Sequence, residues 1–107
     1  MQPKTQEAFI DIAPTHLAIL LPILAQHLPA SAMVYVFGSR ARGRSHRGSD
    51  LDLAIDMQMP IPKATKQALS FALEDSDLPY KVDIADLQTL KEPFRSIITP
   101  DLLPLAW

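Results

Sequence analysis

The chain has no cysteine among its 107 residues, which excludes a disulfide and any thiolate metal site. That composition fits a reducing compartment, and a cytoplasmic location is the expectation. A strong charge of either sign is also missing. Twelve acidic residues against ten basic ones leave a net charge of −2, so neither general nucleic-acid affinity nor charge-driven disorder is implied. No uninterrupted apolar run approaches the length needed to span a bilayer, and residues 1–11 lack the basic start and apolar stretch of a signal peptide. No internal repeat or low-complexity segment occurs, and the length predicts one domain with one core over residues 1–107.

What is present is concentrated between residues 34 and 56. A β-branched and aromatic run, Val34-Tyr35-Val36-Phe37, ends at Gly38-Ser39. A short loop follows, and a second strand opens on Asp50-Leu51-Asp52. Side chains alternate along a strand, so Asp50 and Asp52 share one face while Leu51, Leu53 and Ile55 take the other. Two carboxylates this close repel when both are ionised, and a divalent cation relieves that conflict. Oxygen ligands without cysteine or clustered histidine suit magnesium.

Upstream of the acids lies an expected phosphate cradle. Glycine at position 38 lets backbone N–H groups approach an anion, and a short helix expected over residues 40–42 would offer donors at its start. The Ser39 hydroxyl adds another. Four arginines, at 40, 42, 44 and 47, fall within eight residues, which leaves six basic residues for the rest of the chain. Arg40 and Arg42 are therefore candidates for holding a triphosphate.

Gly38-Ser39, ten intervening residues and Asp50-Leu51-Asp52 resemble the signature of the DNA polymerase beta-like nucleotidyltransferases, especially the minimal nucleotidyltransferases. The likeness extends from about residue 15 to residue 98. Within it, Tyr80-Lys81-Val82-Asp83-Ile84-Ala85-Asp86 looks like the later strand whose aspartate completes a metal triad. The resemblance implies an α/β (α+β) core in which helices pack on one face of a small mixed sheet. It further implies that Asp50, Asp52 and Asp83 hold two magnesium ions and that Asp83 helps deprotonate an acceptor hydroxyl. Gly38, Ser39, Arg40 and Arg42 would bind the nucleotide. Minimal members typically stand beside a small all-helical partner of the HEPN or nucleotidyltransferase-substrate-binding type, as antitoxin to its toxin. Transfer of AMP from ATP to a hydroxyl of that partner is the implied reaction.

The remaining segments read as scaffold. A helical turn is expected over residues 7–12, then a helix capped by Thr15 whose Leu17, Leu20, Leu21, Leu24 and Leu28 recur at helical spacing, with a kink at Pro22. Strands are expected at 32–37, 51–56 and 80–85, and helices at 63–74 and at 87–98, the latter interrupted early by Pro93. His16, His27 and His46 read as structural or solvated residues, and Asp56 as a strand-end acid. The apolar tail, 99–107, reads as a final strand or wrap, or else as a docking surface for a partner. The residues alone leave other functions open: a non-catalytic partner-binding or nucleotide-binding subunit, a small-molecule, aminoglycoside-like transferase, or an RNA-associated module.

Overall fold

The computed structural model describes residues 10–107. The turn expected at 7–12 falls partly outside them, and residues 10–12 are not helical. The first helix, α1 (Pro14–His27), starts one residue before its expected cap. Ala13 stands at the N-cap without a side-chain bond, and Pro14 occupies the first turn, where its preset φ suits helix entry and its missing N–H costs nothing. The helix runs on through Pro22. Pro22 and Ala18 are both exposed, so the carbonyl that loses its partner there faces water.

Four strands form one mixed sheet in the order β3-β2-β1-β4. β1 (Met33–Phe37) and β2 (Leu51–Asp56) are antiparallel, with Phe37 opposite Asp52 and Val36 opposite Leu53. β3 (Val82–Asp86) runs parallel to β2 and pairs Asp52 with Asp83. A parallel pair needs a long return connection, supplied by α2 (Lys63–Glu74). The tail contributes β4 (Leu103–Pro104), antiparallel to β1. Leu105 N–H then donates to the Val34 carbonyl and Trp107 Nε1 to the Ala32 carbonyl, so the apolar end wraps the free edge of β1.

Alternation sorts the sheet into two faces. Val34, Val36, Leu51, Leu53 and Ile55 pack with Leu20 and Leu24 of α1 and Leu69 and Leu73 of α2 to form the main core. Both long helices thus lie on one face, as expected. The opposite face carries Phe37, Ala54 and Ala85, covered by a smaller cluster with Leu87, Leu90, Ile98 and Leu102. The helix expected over 87–98 is reduced there to α3 (Phe94–Ile98), which begins directly after Pro93. Proline lacks a donor and pushes its predecessor out of helical geometry, so residues 87–92 form turns instead. This second face is the one that carries the aspartates.

Candidate functional site

The site is built at the mouth of β1 and β2. Phe37 ends β1 opposite Asp52, and the chain turns away through Gly38 at φ +76°, a left-handed conformation open to glycine. A Cβ on Gly38 would lie 2.2 Å from Asp52 Oδ2. The space a side chain would need is the space the carboxylate occupies. Asp83 faces Asp52 across the parallel pair, and Asp50 lies just before β2 on the same side of the alternation.

The electrostatics agree with that convergence. Burial first, then the negative charges of Asp83 and Asp50, push the Asp52 carboxyl above the usual carboxylate range. Asp83 is not alone. Lys81, two residues earlier on the same strand face, brings its Nζ to 3.5 Å from Asp83 Oδ1. Sequence reasoning passed over Lys81, although the alternation that selected Asp83 selects it equally. Among the described residues, no three histidine, cysteine, aspartate or glutamate side chains stand close enough together to hold a metal ion by themselves. The donor set nevertheless fits a hard cation: it is all oxygen, and its mutual repulsion is what a divalent ion relieves. Such an ion would draw its remaining ligands from water and phosphate, as magnesium commonly does.

The arginines are placed differently from one another, and Arg40 departs from expectation. Residues 38–41 form a single 3-10 turn that directs the Arg40 side chain inward, leaving it 5% exposed. Its Nη1 donates to the Asp11 carbonyl at 2.9 Å, and its Nε and Nη2 both donate to the Ser49 carbonyl, at 3.1 and 2.9 Å. Longer bonds reach the carbonyls of His46 and Arg47. The guanidinium also lies 4.0 Å from the centre of the Tyr80 ring, whose hydroxyl is 3.2 Å from His16 Nδ1. These bonds leave one Nη1 proton over, but a fork so buried and so engaged with the loop reads as a loop anchor, in contrast to the nucleotide contact expected of it. Arg42 points outward and pairs with Asp101 at 3.7 Å. Ser39, half-buried beside Gly38, accepts the backbone N–H groups of Arg42 and Arg44 on its carbonyl. Asp56 accepts from the Gln58 N–H and from Gln88 Nε2, the bonds of a strand-end acid.

Residues 20–101 match the family described as Polymerase beta, Nucleotidyltransferase. The chain belongs to that nucleotidyltransferase family. Its relatives include a probable protein adenylyltransferase MntA of Haemophilus influenzae, 43% identical over 94 residues that cover 88% of this chain and 82% of that protein. The protein adenylyltransferase MntA of Shewanella oneidensis is 30% identical over 70 residues, 65% of this chain and 50% of that one. Among solved structures, a toxin–antitoxin crystallised with AMP-PNP aligns at TM-score 0.57 and 27% identity, over 69% of this nucleotidyltransferase and 59% of that chain. A mutant MntA–HpeT toxin–antitoxin, 24% identical over 67% of this chain and 57% of its own, shares the fold at TM-score 0.53. The mixed four-stranded sheet with its helices is accordingly a nucleotidyltransferase fold, and the chain is a nucleotidyltransferase. No helix among the described residues is long and apolar enough to cross a membrane.

Proposed function

We propose that this nucleotidyltransferase moves AMP from ATP onto a hydroxyl of a partner protein, a small all-helical protein of the HEPN type, and so acts in the cytoplasm as the antitoxin of a toxin–antitoxin pair. The observation that supports the reading is the pairing of Asp52 with Asp83 across β2 and β3 beside Gly38, with Asp52 held above its ordinary pKa first by burial and then by the charges of Asp83 and Asp50. The adenylyltransferase relatives and the toxin–antitoxin neighbour support the substrate and the partner.

In this reading Asp50, Asp52 and Asp83 would hold two magnesium ions, which supply charge neutralisation of the triphosphate and acidify the acceptor hydroxyl. The residues of the chain do the positioning. Asp83 accepts the proton that the acceptor hydroxyl gives up, with Lys81 Nζ standing 3.5 Å from its carboxylate. Gly38, by leaving its side-chain space to the Asp52 carboxylate, brings that acid against the turn where the phosphates would dock, and the Ser39 hydroxyl donates to a phosphate oxygen. Arg42, whose side chain among the described residues makes one solvent-screened ion pair, with Asp101, can turn toward the leaving pyrophosphate at little cost. Positioning and charge neutralisation dominate phosphoryl-transfer catalysis, so these residues need only hold the nucleotide while the partner presents the acceptor hydroxyl.

The test is incubation with magnesium and α-labelled ATP in extract of the source organism, beside an Asp50→Asn/Asp52→Asn control. A labelled protein band that requires both aspartates supports the reading and delivers the acceptor for mass spectrometry. Absence of any labelled protein with each of the four nucleotides, from folded enzyme, would defeat protein modification.

A further inference from the structure

We propose that Arg40 is a positioning residue for Asp50, setting the first acid of the Asp-x-Asp pair through the backbone of the loop that precedes it. The inference builds on the site assignment above and adds a residue that touches neither nucleotide nor metal.

Asp50 has two backbone anchors. On its C-terminal side, the Leu51 N–H donates to the Lys81 carbonyl at 2.9 Å, which locks the following peptide to β3. On its N-terminal side, the Ser49 carbonyl receives both Nε and Nη2 of Arg40. Among the described residues, the Asp50 side chain makes no hydrogen bond or ion pair of its own, so its direction depends on these two peptides. The other Arg40 bonds to the loop concern the same stretch, at His46 and Arg47, while His46 N–H meets Ser49 Oγ at 2.8 Å and Ser49 N–H meets the His46 carbonyl at 2.9 Å. The guanidinium is thus the inner post around which residues 46–49 are wound.

The post is itself fixed. Among the described residues no carboxylate is bonded to its buried charge, which is met by carbonyl dipoles from positions 11, 46, 47 and 49 and by the Tyr80 ring face. A planar fork is required to reach the Ser49 carbonyl from two nitrogens while a third nitrogen reaches Asp11. Lysine supplies the charge but a single point of donation, so Arg40→Lys keeps the buried cation and loses the fork. An open cleft of about 670 Å³ is lined by Arg40 together with Asp11, His46 and Arg47.

Residues that orient metal ligands typically contribute about 10–100-fold in affinity or activity. The experiment uses full-length wild type, Arg40→Lys and Arg40→Ala, with three readouts. Amide hydrogen exchange follows residues 46–50 against the strands. Water-proton relaxation measures manganese affinity in the presence of ATP, and label transfer in extract is followed against ATP concentration. The expected result for Arg40→Lys is protected strand amides, exchange at 46–50 faster by about tenfold or more, and manganese affinity and maximal labelling each lower by about tenfold or more, with the ATP half-saturation little changed. For Arg40→Ala, millimolar guanidinium entering through the cleft should restore manganese affinity, and methylammonium should not. Wild-type manganese affinity in Arg40→Lys would overturn the proposal. So would a loss confined to ATP half-saturation, which would make Arg40 a nucleotide contact, or loss of the strand protection in both variants, which would make it a fold residue alone. Should wild type label nothing, the transfer reading fails separately, while exchange and manganese affinity still judge Arg40.

Discussion

The carboxylate of Asp52 sits where the side chain of residue 38 would be: a Cβ built on Gly38 would come within 2.2 Å of its Oδ2. Glycine is needed at that position twice over, for its φ of +76° and for the room it leaves. Gly38→Ala should therefore cost about 1–2 kcal/mol in denaturant unfolding from the left-handed backbone alone. It should lower transfer far more than stability accounts for, because Asp52 must swing away from its station between Phe37 and Asp83. Urea titration beside label transfer separates the two effects. An alanine variant with full activity would show that Asp52 can work from another rotamer.

The raised pKa of Asp52 has a definite sign in stability. Its protonated form is favoured in the native state, so the stability it contributes is complete below the ordinary carboxylate pKa of about 3.9 and is lost as the pH rises through the raised value. At neutral pH the ionised group is a burden on the metal-free fold. Asp52→Asn should therefore raise the melting temperature in EDTA at pH 7, and the gain should fade as the pH is taken to about 4. Magnesium should raise the wild-type melting temperature and leave that of the variant nearly unmoved. Thermal unfolding over this pH range, with and without magnesium, checks both parts, and a variant less stable than wild type at pH 7 would contradict the cause assigned to the shift.

Strand alternation made most of this site legible before any coordinates. Leu51, Leu53 and Ile55 against Asp50 and Asp52, and Val82 and Ile84 against Asp83, are period-two patterns that need no knowledge of neighbours. The arginine loop was less legible. Four arginines in a short loop look alike in sequence, and what separates Arg40 from Arg42 is a set of carbonyls at 11, 46, 47 and 49 that only the closed fold brings together. In the 87–98 segment the interruption at Pro93 was legible, but the apolar spacing also suggested helix before the proline, where the structure has none. The apolar content of the tail suggested a final strand or wrap, or else a docking surface, and the structure has it pair with β1 and wrap its edge. The strand's length of two residues was set by where the free edge of β1 lies.

Asp86 offers a contrast to Asp83, three residues away on the same strand. It is 6% exposed, and its Oδ2 accepts the Ile61 N–H at 2.8 Å while its Oδ1 accepts the Gln88 N–H at 3.0 Å. One carboxylate thereby ties the connector before α2 and the turn after β3 to the sheet. Removing it strands two donors, one of them buried, each at about 1–3 kcal/mol, so Asp86→Ala should be strongly destabilised. Asp86→Asn keeps one acceptor oxygen and should lose less. Asp83→Asn removes only an exposed ion pair with Lys81, worth little to the fold, and should leave unfolding almost unchanged while abolishing transfer. Urea unfolding and label transfer on the three variants should therefore rank them in opposite orders per unit of stability lost. A marked destabilisation of Asp83→Asn with activity retained would place the acid of β3 in the scaffold and remove it from the site.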